Sequence, residues 1–287
     1  MKEKLRLAAA VCFLALIALN PTSALHAARD TFLAWANSVA PALLPFMIVL
    51  PALTGEEMRW LLSRAMGRVM RPLFGCPGEE AAAAAVGWLA GSPAGAAAMS
   101  RMAGSMNCTE LTRGALLASG ASPMFLLSAV SVGMLSAPGA GWLMLRSQLG
   151  AAILVGLALS RVKMGSSEPA LAAFAEMDGE VRPVRSAVLG ILSICGYMAF
   201  FSVLARQSSL VLGEAFETPV LAIMEMAGGC DALAHLPLGL NARMMLISAT
   251  ASFGGISVYM QCMAYLKPLG ANPWSYLAGK LMQALVA

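Results

Sequence analysis

Charged side chains are scarce in this sequence of 287 residues: only 12% are Asp, Glu, Lys or Arg, whereas 59% are hydrophobic. A water-soluble domain carries about 25% charged residues. With half that share the chain lacks the polar surface of a soluble globule, so the sequence predicts an integral membrane protein in contact with the lipid bilayer. The net charge of +4 is small, and we expect no nucleic-acid partner.

The sequence also lacks the side-chain patterns that hold metals, form disulfide frameworks or perform catalysis. Its six cysteines include no Cys-x-x-Cys pair, and its two histidines, His26 and His235, lie far apart near loops. There is no Gly-x-Ser-x-Gly elbow, no His-Glu-x-x-His, no P-loop and no pair of intramembrane aspartates. We therefore expect no metal site, no cofactor and no enzymatic activity.

Apolar stretches fill the chain instead, and the longest polar segment divides them near the middle. This pattern predicts an all-α polytopic membrane protein in three parts. Residues 1–160 form a first membrane repeat, residues 161–185 a cytoplasmic linker and residues 186–287 a second membrane repeat.

The N-terminal segment has two interpretations. Basic residues at positions 2, 4 and 6 precede an apolar run over 7–19, and this pattern is typical of a signal peptide or of a first transmembrane helix from Leu5 to about Leu25. We expect a retained helix, because the remaining hydrophobic segments are odd in number.

Two Gly-rich interruptions stand inside apolar stretches, at 91–96 (Gly-Ser-Pro-Ala-Gly-Ala) and at 252–257 (Ser-Phe-Gly-Gly-Ile-Ser). Irregular backbone at membrane depth persists only where protein surrounds it or where it lines a wet cavity. One such interruption in each half of the chain is typical of carriers that bind a solute near the bilayer midplane.

Basic residues suggest how the chain is threaded. An arginine-rich amphipathic stretch at 55–78, the N-terminus and the linker are all expected on the cytoplasmic side. The segment 81–103 then enters the membrane, breaks and returns, and the segment 240–266 does the same from the opposite side. The result is a pair of inverted repeats, each with a broken re-entrant helical hairpin.

Close helix packing is the alternative interpretation of the first interruption. Gly87, Gly91 and Gly95 are spaced as a small-xxx-small packing motif, which needs no solute. Pro93 favours local unwinding, because it removes a backbone donor.

Polar and ionisable residues at membrane depth are the candidate ligands. Ser252 and Gln261 offer neutral hydrogen-bonding groups beside the second interruption, and Glu225 lies inside an apolar run. Glu225 can bind a coupling ion or solute, or simply cap a short helix at the interface. Arg101 can be an anion ligand or a positive-side anchor.

Several segments resemble bacterial sporulation integral membrane proteins of the nucleoside-recognition (Gate) superfamily. The likeness covers nearly the whole chain and is most specific at 252–261; further matching stretches lie at 40–46, 91–96, 122–125 and 225–229. The resemblance implies a fold similar in plan to concentrative nucleoside transporters. It also implies transport of dipicolinate, a small aromatic dianion, across the outer forespore membrane.

Three positions depart from the pattern of that family. Its lysine after the first motif is Ala97 here, with Arg101 four residues later; its histidine in the second motif is Tyr259; and its Asn before Pro is Ser122. A changed set of ligands can mean a changed solute.

We therefore expect a membrane carrier for a small anionic metabolite, with two alternatives: a non-transporting scaffold of the spore envelope, or a nucleoside transporter. The oligomeric state is left open. The predicted substrate-binding residues are Ser92, Gly95, Arg101, Glu225, Ser252, Gly254, Gly255 and Gln261.

Overall fold

A computed structural model describes residues 2–53, 55–76, 78, 80–164, 168–170 and 183–287. Within these ranges the chain is helical, and the β-structure is a single isolated bridge between Asn107 and Pro169. The all-α prediction is thus confirmed for the described part of the chain. Most of the predicted linker at 161–185 lies outside the described residues.

The α-helices of the described residues are, in chain order, Lys2–Leu19 (α1), Pro21–Ala34 (α2), Ala40–Leu53 (α3), Glu56–Phe74 (α4), Glu80–Ala90 (α5), Ser92–Met102 (α6), Cys108–Leu117 (α7), Ala140–Leu159 (α8), Pro183–Leu212 (α9), Glu217–Met224 (α10), Met226–Ala234 (α11), Leu240–Phe253 (α12), Gly255–Leu266 (α13) and Pro273–Val286 (α14). Two π-helical segments, Trp35–Val39 and Phe125–Met134, follow α2 and α7, respectively.

Two helices, α8 and α9, are each long and apolar enough to cross a membrane. A third crossing is formed if α1 and α2 are counted together, although the chain bends by 101° between them. The single helix expected from Leu5 to about Leu25 is therefore wrong in its extent. Its first part ends at Leu19, and Pro21 begins a new helix in the position where the missing N–H costs nothing.

The first interruption separates two helices that fold back on each other. Gly91 adopts φ +97°, and α5 and α6 pack side by side as a helical hairpin. Gly87 and Gly95 face each other across this hairpin, and a methyl group on either would overlap the Ala118 carbonyl. Close helix packing therefore explains Gly87 and Gly95 in the two helices of the hairpin, whereas local unwinding explains Gly91 at its tip.

A second irregular stretch in the first half follows α7. The chain leaves the helix after Leu117 and resumes as the π-helix Phe125–Met134. The two flanking helices do not fold back on each other, so residues 118–122 are a break within one broken helix.

The hairpin of the second half lies at Glu225 and not at the Gly-Gly pair. Helices α10 and α11 pack against each other across Glu225, whose backbone is extended (φ −140°, ψ 126°). By contrast, α12 and α13, which flank Gly254, pack mainly against other helices. The prediction that 240–266 forms the second hairpin is therefore wrong: this segment is the broken helix that follows the hairpin.

The two halves consequently share one order of parts: a helical hairpin, a broken helix and a closing helix. In the first half these are α5–α6, α7 with its π-helix, and α8; in the second half they are α10–α11, α12–α13 and α14. The opposite orientation of the two halves and their re-entrance into a membrane stay predictions.

Candidate solute cavity

Backbone groups in the break after α7 form hydrogen bonds with the tip of the first hairpin. The Ser92 amide and hydroxyl both donate to the Gly120 carbonyl, at 2.8 and 2.9 Å. The Ser92 oxygen in turn accepts from the Gly120 amide at 2.7 Å. Buried backbone groups outside a helix need such partners, so this residue pair holds the hairpin tip against the break.

A glutamine side chain from α8 forms hydrogen bonds with both backbone groups of the next residue in the break. The Gln148 side-chain amide donates to the Ala121 carbonyl at 2.8 Å and accepts from the Ala121 amide at 2.9 Å. Ser122 then accepts from the Phe125 amide at 3.2 Å and thereby caps the helix that follows. The first break is therefore held in place by protein side chains.

Glu225 forms the tip of the second hairpin, and its side chain caps α11. The carboxylate accepts from the amides of Ala227 at 3.1 Å and Gly228 at 2.6 Å. An anionic group is favourable there, because unpaired N–H groups and the helix dipole point at it. The side chain is only 2% exposed, and the capping interpretation holds, whereas the depth of Glu225 in the membrane stays a prediction.

The Gly-Gly pair brings the second broken helix against this tip. Gly254 and Gly255 adopt φ +86° and +73°, a backbone conformation that residues other than glycine rarely adopt. A methyl group on Gly255 would lie 3.1 Å from the Met224 carbonyl and 3.2 Å from the Glu225 amide. The absence of a side chain at Gly255 therefore permits the close approach of hairpin and broken helix.

A cavity of about 60 Å³ lies where these parts meet. Its walls come from both hairpin tips, the first break and α13, together with apolar side chains of α3 and α9. The polar or irregular positions among its lining residues are Gly91, Ser92, Gly120, Ala121, Ser122, Glu225 and Gln261. This volume admits a few water molecules or a small ion, and an aromatic dicarboxylate enters only if the walls move apart.

A wider vestibule of about 570 Å³ adjoins the cavity. The two share Met198, Glu225 and Ala227 in their walls, so Glu225 stands at the junction. The ionisable side chains that line the vestibule are His26, Asp30, Arg206, Glu217, Glu225 and Asp231. Arg206 and Glu217 form an ion pair, and Arg206 also donates to the Ser23 hydroxyl at 3.3 Å.

Two polar side chains beside the second break retain unused hydrogen-bonding capacity. The Ser252 hydroxyl and the Gln261 carbonyl oxygen are buried and have no hydrogen-bond partner among the described residues. The Gln261 amide nitrogen donates to the Ser257 hydroxyl at 3.1 Å. A buried polar group without a partner lowers the stability of the protein. Such a group therefore indicates a position where a water molecule or a ligand can bind.

The structure brings three of the eight predicted site residues into the cavity wall: Ser92, Glu225 and Gln261. Gly254 and Gly255 shape the second break behind it, Ser252 is buried beside that break, and Gly95 packs inside the first hairpin. Arg101 lies elsewhere. It is an exposed residue at the far end of α6, roughly 13 Å along the helix from Ser92.

Sequence reasoning missed several residues of the site. The stretch 119–123 (Ser-Gly-Ala-Ser-Pro) contains a glycine and a proline, which are typical of a break, yet Gly120 and Ala121 are absent from the predicted site. Outside the cavity wall, Lys280 was also missed, although it is an ionisable residue inside an apolar run, the criterion that identifies Glu225. Its buried ammonium donates to the Ser119 hydroxyl and to the Gln283 side-chain oxygen, both at 3.2 Å.

The chain is similar to the sporulation integral membrane protein YlbJ of Bacillus subtilis (strain 168). The two are 25% identical over 312 residues, an alignment that covers 93% of this chain and 76% of YlbJ. No family model matches the chain, and no solved structure matches it. This likeness and the apolar helices confirm that the chain is an integral membrane protein, and they support its relation to sporulation membrane proteins.

Proposed function

We propose that this protein is a carrier that moves a small anionic metabolite, dipicolinate in a sporulating cell, through the cavity at Glu225. The observation that carries the proposal is the convergence of both hairpin tips and the first break on one cavity. Unwound backbone at membrane depth is unfavourable unless protein surrounds it or it lines a wet cavity, and here three such stretches meet at one cavity. A scaffold needs close helix packing, but it needs neither the cavity nor the vestibule.

The vestibule supports a path that reaches the cavity from one side. Because Glu225 and Ala227 belong to both walls, a solute in the vestibule meets the tip of the second hairpin first. Movement of α10 and α11 then widens the cavity enough to admit a solute larger than a few waters. This movement is the alternating-access step of the proposed mechanism.

The charge of the cavity sets a condition on an anionic solute. Among the described residues, its lining holds the Glu225 carboxyl but neither a lysine nor an arginine. A carboxylate about 4 Å from an ionised Glu225 would be repelled by about 4 kcal/mol at an effective dielectric constant of 20. We therefore infer that a dianion enters together with a proton on Glu225, and that the N-terminus of α6 adds favourable potential.

The relative's printed name supports the cellular setting of this proposal. YlbJ is described as a sporulation integral membrane protein, which agrees with a carrier in the membranes of a developing spore. The Gate-type resemblance adds the inverted repeats and the outer forespore membrane as the expected location.

The test is uptake of radiolabelled dipicolinate into liposomes that contain the purified full-length protein. Uridine serves as the second solute, because it distinguishes a nucleoside transporter. Gln261→Leu alters the cavity wall, whereas Arg101→Ala changes an exposed residue outside it and is the matched control. We expect protein-dependent dipicolinate uptake that Gln261→Leu reduces at least tenfold and that Arg101→Ala leaves within twofold.

Other outcomes would replace this proposal. Uptake of uridine without dipicolinate would favour the nucleoside transporter. Uptake of neither solute by folded protein would favour the scaffold.

A further inference from the structure

Helix α4 presents an unusual surface for a helix of a membrane protein. Its inner side packs on the protein: Met70 is buried, and Phe74 lies against Gly156 of α8. Most of its other described side chains are exposed, and they divide into an apolar part and a basic part. Each part occupies a separate arc of the helix.

The apolar arc is formed by Leu61, Val69 and Leu73, which are 53%, 42% and 47% exposed, respectively. At 3.6 residues per turn these three side chains fall within an arc of about 120°. Large apolar side chains that stay exposed on one helix face of an integral membrane protein are suited to contact with lipid chains.

The basic arc borders the apolar one. Arg64, Arg68 and Arg71 are exposed and lie within an arc of about 60°. None of the three forms an ion pair with a carboxylate of the described residues. Trp60 lies at the edge of this arc, with the Arg64 guanidinium 5.6 Å from its ring centre. Neighbouring like charges on a helix repel one another unless an anion lies between them.

The C-terminal end of α4 is tied to the end of a membrane-spanning helix. Arg113 donates to the Gly75 carbonyl at 3.3 Å and to the Val162 carbonyl at 3.1 Å. Gly75 follows α4, and Val162 follows α8, which is long and apolar enough to cross the bilayer. Since the end of a spanning helix marks a membrane surface, this end of α4 lies at the same surface.

From this arrangement we propose that α4 is a binding site for anionic phospholipid headgroups. The apolar arc faces the acyl chains, and Arg64, Arg68 and Arg71 bind the lipid phosphates. Guanidinium groups suit this role because they donate in a fixed fork that matches phosphate oxygens. The juxtaposition of the apolar arc with a basic arc whose arginines form no ion pair among the described residues distinguishes this site from a diffuse positive surface.

The experiment measures lipids retained by the detergent-purified full-length protein, by native mass spectrometry, after equilibration with equal amounts of phosphatidylglycerol and phosphatidylcholine. We expect the wild type to retain phosphatidylglycerol preferentially. The triple variant R64Q/R68Q/R71Q should bind it at least tenfold more weakly, since each arginine near an anionic surface contributes about fivefold. The charge-preserving variant R64K/R68K/R71K should keep most of the preference.

Three results would overturn the proposal. One is equal retention of the two lipids by the wild type. Another is undiminished phosphatidylglycerol binding by the folded glutamine variant. The last is complete displacement of the lipid by millimolar inorganic phosphate, which would show a site for free phosphate. If the triple glutamine variant fails to fold, R68Q alone against R68K provides the same comparison.

Discussion

Ser92 and Gly120, which are 28 positions apart in sequence, satisfy each other's hydrogen-bonding groups where the first hairpin meets the first break. Removing the hydroxyl with Ser92→Ala leaves the buried Gly120 amide without its acceptor. A buried donor without a partner costs about 1–3 kcal/mol. We expect a corresponding fall in thermal stability, measured by a melting curve of the purified protein in detergent.

Ser100→Ala is the control for this change, because the Ser100 hydroxyl donates only within its own helix, to Ala97 at 2.8 Å. Its effect should be a few tenths of a kcal/mol. Equal melting temperatures for the two variants would show that the Ser92–Gly120 contact does not hold the tip in place.

Close packing in the first hairpin predicts a strong response to one added methyl group. In Gly87→Ala the new Cβ would overlap the Ala118 carbonyl, and relief of that overlap requires backbone movement. Overpacking of this kind costs about 1–3 kcal/mol. Gly150→Ala on α8 has no atom within 4 Å of the new Cβ and should be neutral or stabilising by up to about 1 kcal/mol. Similar melting temperatures for both variants would contradict the hairpin geometry.

Gln148 predicts a second stability effect at the first break. Gln148→Leu removes both hydrogen bonds to the Ala121 backbone, so the buried amide and carbonyl lose their partners. We expect a larger loss of stability than for Ser92→Ala, together with faster hydrogen exchange of residues 119–122. Arg146→Gln, on the exposed side of the same helix, should leave both measurements unchanged. Unaltered exchange in Gln148→Leu would show that the break is held by other contacts.

Lys280 is a buried charge that we expect the protein to lose without a fall in stability. Lys280→Met keeps a flexible side chain of similar length, and the Ser119 hydroxyl still donates to the Gln283 oxygen at 3.1 Å. Because a buried cation without a carboxylate partner is costly, we expect this variant to be as stable as the wild type or more stable. Lys280→Ala should destabilise the protein by leaving a void. A strongly destabilised Lys280→Met variant would mean that the ammonium contributes more than packing.

The features marked by Gly and Pro were predictable from the sequence. Gly91 and Pro93 signal the first hairpin tip because one residue tolerates positive φ and the other lacks an N–H. The amphipathic pattern of 55–78 likewise predicts α4. These signals are local, so they do not depend on which helices pack together.

The position of the second hairpin was not predictable in this way. Its tip, Glu225, carries no turn residue, and the break is stabilised by the carboxylate cap of α11 and by the approach of Gly255. The Gly-Gly pair predicts a hairpin tip because glycines permit a turn, whereas in the structure these glycines make room for a neighbouring segment. Arg101 lies far from the cavity because α6 continues without interruption to Met102. The sequence did not decide whether this segment is helical as far as Arg101.

The central claim, that solute passes the Glu225 carboxyl, is tested most directly by the pH dependence of dipicolinate uptake. Uptake by the wild type in proteoliposomes should rise as the pH falls, because protonation of Glu225 removes its repulsion of the dianion. Glu225→Gln keeps the shape of the side chain but carries no charge, and its uptake should be almost independent of pH. Identical pH profiles for the wild type and Glu225→Gln would contradict the account.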